Sequence, residues 1–192
     1  MKFLQVLLVL LANVLVSHLQ SEAGSQFQQG DQQEIEVKRL LSIIRDKNMQ
    51  REDPNKTTAA INRLGEMHAT EAIDDLIQLL TYTSVSAKEK ESGLITEKNF
   101  RYPAQGALFQ IGKPALPALV KVIAETENEG MRDNALRTVN SIFRESPQEA
   151  PAYLKKIAAN TSSSLARQRL LKAAEQLDKV IKGLGKNKRR QN

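Results

Sequence analysis

The side chains able to do covalent or metal chemistry are few. The chain has no cysteine, which removes thiolate nucleophiles and zinc–thiolate sites. Its two histidines are His18, in an N-terminal leader, and His68. His68 lies in Glu66-Met67-His68-Ala69-Thr70, read as a surface turn between two helices. A serine nucleophile needs a base and a strained turn to present it, and there is no G-x-S-x-G elbow. No glycine-rich phosphate loop is present either. Among the acids, Glu71, Asp74 and Asp75 stand beside Ile73, Leu76 and Ile77. If those apolar residues face a core, Asp74 and Asp75 face water, where nothing tunes a carboxyl for acid–base work. Glu71 reads as an acid favoured at a helix N-terminus. The expectation is a chain that is not an enzyme, with no catalytic, cofactor-binding or metal residue and no cofactor. An enzyme acting through Glu71 or His68 is the outlying alternative.

Charge is the other candidate for chemistry. The net charge is +6, and it resides in Lys179, Lys182, Lys186, Lys188, Arg189 and Arg190, with no acid after Asp178. The body of the chain is therefore neutral. Gly183-Leu184-Gly185 is expected to break the last helix and free a basic tail over 185–192. Lys186, Lys188, Arg189 and Arg190 could then meet an anionic phospholipid or cell-wall surface, each cation being worth about 1 kcal/mol there. A solvated terminus is the plain alternative. No nucleic acid is expected, since no aromatic residues interleave with these cations to stack on bases.

The elements that would position these groups begin after a leader. Met1-Lys2 precedes a stretch from Phe3 to Val16 that is apolar apart from Gln5 and Asn13, and small residues Ser21 and Ala23 follow. That is the layout of a secretory signal peptide over 1–23, cut between Ala23 and Gly24. The apolar stretch is shorter than the roughly 20 residues that cross a bilayer. The expectation is an exported chain, periplasmic or extracellular, with no transmembrane helix after cleavage. The absence of cysteine leans toward a bacterial envelope; in a eukaryote Asn55-Lys56-Thr57 and Asn160-Thr161-Ser162 would be glycosylation acceptors.

Beyond the leader the chain repeats itself. Pro117-Ala118-Leu119-Val120-Lys121-Val122-Ile123-Ala124 recurs 34 residues later as Pro151-Ala152-Tyr153-Leu154-Lys155-Lys156-Ile157-Ala158. Ile73, Leu76, Ile77 and Leu80 match Leu116, Leu119, Val120 and Ile123, at the i, i+3, i+4, i+7 spacing of one helix face. Ala60-Ile61-Asn62-Arg63-Leu64-Gly65 matches Ala107-Leu108-Phe109-Gln110-Ile111-Gly112, with an echo at Ala135-Leu136-Arg137-Thr138-Val139. Gly65 and Gly112 suit helix ends; Pro54 and Pro103 suit first turns, and Pro117 and Pro151 lie near helix starts. Helices are expected over 32–47, 54–65, 70–82, 102–112, 115–125, 129–145, 149–159 and 163–184. A polar insertion over 83–100, holding Lys88-Glu89-Lys90-Glu91, interrupts the array. It is either a disordered or decorative segment or a binding loop.

These motifs resemble the HEAT-like helical repeats of bacterial proteins, notably Leu64-Gly65 followed by Ala72-Ile73-Asp74-Asp75-Leu76, and Ile111-Gly112-Lys113-Pro114-Ala115-Leu116-Pro117-Ala118-Leu119. The resemblance implies an all-α fold: a short α-solenoid of paired helices serving as a binding scaffold. Some relatives are bilin lyases, but no motif carries that activity here. The expected organisation is an N-terminal helix and linker over 24–53, repeats over 54–160, and a capping helix over 161–184. The expected function is a protein-binding scaffold of the cell envelope, with a protein partner met through Arg63, Arg101, Tyr102 and Arg137.

Overall fold

Helices start where a side chain can satisfy the free N–H groups of the first turn, and this chain supplies several such starts. The computed structural model describes residues 32–83 and 102–188, with side chains through Gly183. The first helix, α1, covers 32–45. Asp46 then accepts from the N–H groups of Asn48 and Met49 at 2.8 and 3.1 Å, opening α2 (Lys47–Glu52). Asp53 accepts from the Lys56 N–H at 2.9 Å and opens α3 (Pro54–Glu66), with Pro54 in the first turn. A 3-10 turn at Thr70–Ala72 leads into α4 (Ile73–Gln78). After the undescribed segment come α5 (Pro103–Ile111), a 3-10 turn at Lys113–Ala115, and α6 (Leu116–Glu125). Asn128 caps α7 (Glu129–Ile142) through the Met131 N–H at 3.0 Å. The chain continues through α8 (Glu149–Ala159) and α9 (Ser164–Lys188). No strand occurs among the described residues; the fold is all-α.

The contacts divide the chain into two units, 1–39 and 40–192. In the first, the Lys38 ammonium pairs with Glu34 one turn earlier at 2.6 Å, and this pair lowers the Glu34 pKa. The second unit holds the remaining description. Within it α3 packs on α5 and α5 on α7, while α6 packs on α4, α7 and α9, and α9 also lies along α8. The repeated apolar residues form the interior: Leu76 and Leu80, then Leu119 and Ile123, and Leu154 are all essentially inaccessible to water. Burying side chains of this size stabilises by about 1.5–3 kcal/mol each, which is what holds helices too short to persist alone.

Several expectations need correcting. The 24–53 segment is no simple linker at its end, because Asp46 stops α1 and starts α2. Gly65 does not end its helix: α3 runs on to Glu66, and His68 takes the left-handed backbone at φ 50°. A Cβ on Gly65 would lie 2.6 Å from the Ala107 Cα, so the glycine is there to let α3 and α5 touch. Gly112, at φ 79°, does close α5. The chain bends by 112° there before entering the helix of 113–125.

The boundary between a capping helix at 161–184 and a tail at 185–192 also moves. Helix α9 continues through Gly183-Leu184-Gly185 and carries Lys186 and Lys188 in its last turn. A glycine costs a helix only about 1 kcal/mol, and Lys182, Leu184 and Lys186 around the pair are good helix formers. Basic residues at a helix C-terminus also complement its dipole. Finally, Asp75 is not simply solvated. Its carboxylate accepts two bonds from the Arg45 guanidinium at 2.8 and 2.9 Å, tying the end of α1 to α4 and raising the Arg45 pKa. The leader at 1–23, all but the first residue of the insertion at 83–100, Arg101, Arg189 and Arg190 lie outside the described residues.

Candidate functional site

Helices α5 and α7 each carry two faces. On α5 the buried face is Ala104, Ala107, Leu108 and Ile111, and the opposite side presents Gln105, Gly106 and Phe109, continuing Tyr102 at the i, i+3, i+4, i+7 spacing. On α7 the buried residues are Asn134, Ala135, Thr138 and Val139, and Asn134 and Thr138 share a stripe with Arg137 and Ser141 in the same register. Side by side, these two stripes line a groove of about 980 Å³. Thr81 and Gly130 stand together at one end, a Cβ on Gly130 lying 3.8 Å from the Thr81 methyl. At the other end the Arg144 guanidinium lies over the Phe109 ring, 5.0 Å from its centroid, and Val180 and Ile181 of α9 complete the wall.

Hydrogen bonds set the stiffness of this lining. Buried Asn134 donates from Nδ2 to the Leu80 carbonyl at 2.7 Å, pinning α7 to the end of the α4 turn. The Thr138 hydroxyl donates back to the Asn134 carbonyl at 2.8 Å, and the Ser141 hydroxyl to the Arg137 carbonyl at 3.0 Å. Arg144 also pairs with Glu145 at 3.0 Å. Two groups matter most for binding. The Arg137 side chain is exposed and makes no hydrogen bond or ion pair among the described residues, and the Gln105 Nε2 is buried without an acceptor. A cation, an amide donor and two rings on one wall can hold a ligand.

Of the four residues expected to meet a partner, the structure brings two into this groove, Tyr102 and Arg137. Arg63 sits in the last turn of α3, 3.3 Å from Glu66 and outside the lining. Gln105, Phe109, Asn140 and Arg144 line the groove and escaped the sequence reading. Their signal was present, since they repeat at helical spacing, but only the apolar faces were matched there. His68 is exposed and its Nδ1–H donates to the Gln110 carbonyl at 2.7 Å, linking the turn after α3 to the end of α5. Among the described residues no three His, Asp or Glu side chains gather as a metal would need.

Away from the groove, Arg169 of α9 has the most structured charge environment. It donates to the Ala124 carbonyl at the end of α6 at 3.2 Å and pairs with Glu127 at 2.7 Å. That bond, the Arg169 charge and the more distant Arg132 charge hold the Glu127 carboxyl below its usual pKa. No protein-family model, no curated protein and no solved structure matches this chain.

Proposed function

We propose that the chain is a HEAT-like helical-repeat scaffold, a short α-solenoid that binds another protein outside the cytoplasm and has no enzymatic activity of its own. The observation that carries this reading is the groove along α5 and α7. Its lining mixes rings, amides and an uncommitted guanidinium, the composition that interfaces favour. The stacking of α3 on α5 and of α5 on α7, with α4 on α6 behind, fits a repeat array that offers a continuous surface. Export is part of the proposal and rests on the charged, apolar, small-residue order of 1–23.

The test is site-directed photo-crosslinking in cells making the full chain, with the reactive side chain at Phe109 in the groove or at Leu171, which is 44% exposed on α9. Discrete protein adducts from position 109 alone, lost on charge reversal at Arg137, are expected. Equal adducts from both positions, or none from 109, would end the scaffold reading. The N-terminus of the exported chain, read by mass spectrometry, should be Gly24.

A second reading is favoured by one observation. Helix α9 carries Lys172 and Lys179 two turns apart and Lys182 a turn beyond, all exposed. That side could lie on an anionic membrane or cell-wall surface, the role first expected of the tail. Lys172→Glu, Lys179→Glu and Lys182→Glu together would weaken such an association; unchanged fractionation would exclude it.

A further inference from the structure

We infer that the groove between α5 and α7 takes an extended acidic peptide, with Arg137 as its principal anchor and the Gln105 amide pairing with the peptide backbone. This rests on the scaffold reading and specifies the partner's chemistry. Length comes first. From Gly130 to Ser141 the α7 wall rises about 16 Å, the span of roughly five residues of extended chain. A free amino acid or small dicarboxylate would leave most of that wall uncovered. Charge comes second. The wall offers Arg137, with no partner among the described residues, and Arg144, whose Glu145 partner is 86% exposed and lies outside the lining. Against these two cations stands Asp133 alone among the lining residues. A guanidinium binds a carboxylate through two parallel N–H bonds, a geometry that an acidic side chain or a C-terminus supplies.

The amide comes third. The Gln105 Nε2 is shut off from water with no acceptor, and a buried donor left unmade is costly. Turning the side chain into the groove that Gln105 lines would bring this donor to a main-chain carbonyl laid along α5. Asn134 is buried, and one N–H of its Nδ2 already donates to the Leu80 carbonyl. Tyr102 and Phe109, each half-buried, flank Gln105 and leave room for side chains of the peptide between them.

The measurement is fluorescence anisotropy on the full chain with a labelled six-residue glutamate-rich peptide, a lysine-rich peptide of equal length, and free glutarate as competitor. The acidic peptide should bind and the lysine peptide should not. Arg137→Glu should weaken binding at least tenfold, Gln105→Leu severalfold, with the circular dichroism spectrum unchanged. Lys179→Glu with Lys182→Glu, which removes two positive charges from α9 against one from the groove, should leave binding within twofold. Equal loss in that double variant would place the peptide on the basic helix and overturn the proposal. So would displacement by glutarate at concentrations matching the peptide's own affinity, which would mark a small-molecule site. Crosslinks from position 109 together with indifference to peptide charge would overturn the acidic specificity and leave the scaffold standing.

Discussion

Gly65 and Gly183 are the same residue type in two helices and have opposite consequences. At Gly65 the neighbouring helix backbone is 2.6 Å from where a Cβ would be, so Gly65→Ala must push α3 away from α5. Destabilisation of about 1–3 kcal/mol is expected, read as a fall in thermal midpoint. Around Gly183 nothing lies within 4 Å, and Gly183→Ala should stabilise by about 0.5–1 kcal/mol. Tyr82 supplies a residue-scale pH effect. Its hydroxyl reaches the Pro54 and Gln50 carbonyls at 3.3 and 3.4 Å. Burial raises its pKa from 10.0, the Thr57 and Thr58 hydroxyls oppose the rise, and the Asp53 charge adds to it. With the folded value raised, the stability tied to the protonated phenol is complete below pH 10 and fades as pH climbs through the folded value. Tyr82→Phe should flatten that alkaline limb in melts followed by circular dichroism.

Among the elements, α9 departs furthest from a repeated pattern. Leu170, Ala173, Ala174 and Leu177 form its buried side, and it is joined to α8 by the Lys155–Asp178 pair at 2.8 Å. Deleting 164–192 would uncover apolar faces of α6 and α8 together. Losing several buried side chains at about 1.5–3 kcal/mol each is comparable with a whole domain's stability of about 5–15 kcal/mol. The truncated chain should melt without a cooperative transition. The start of α9 is held by Arg169, and its pairing gives an acid-side dependence. The depressed Glu127 pKa means that this contribution is present above 4.5 and is lost as pH falls through the folded value. Glu127→Gln should remove that loss, measured as a shallower decline of the melting midpoint below pH 4.5. Helix positions were largely legible in the chain, and α8 is found over the expected 149–159. The short α2 was not, since Asp46 as a cap depends on a turn geometry that apolar spacing does not encode.

At the scale of the molecule, the groove arises because two helices far apart in sequence stand side by side with like faces outward. The same arrangement that buries Ala107 and Ala135 turns Phe109 and Arg137 to one wall. The sequence by itself determined the all-helical class, because apolar residues three and four apart can be buried along only one kind of element. It also determined that the chain has no thiol chemistry, because it holds no cysteine. Only the tertiary structure decided which outward faces adjoin. Tyr102 and Arg137 come together while Arg63 goes elsewhere, since helix neighbours are chosen by interior packing and the exposed stripes follow passively. It decided as well that Gly65 serves close approach while His68 makes the turn, and that two glycines fail to end α9. Each outcome is a balance between a local preference of about 1 kcal/mol and a surrounding that no stretch of sequence contains.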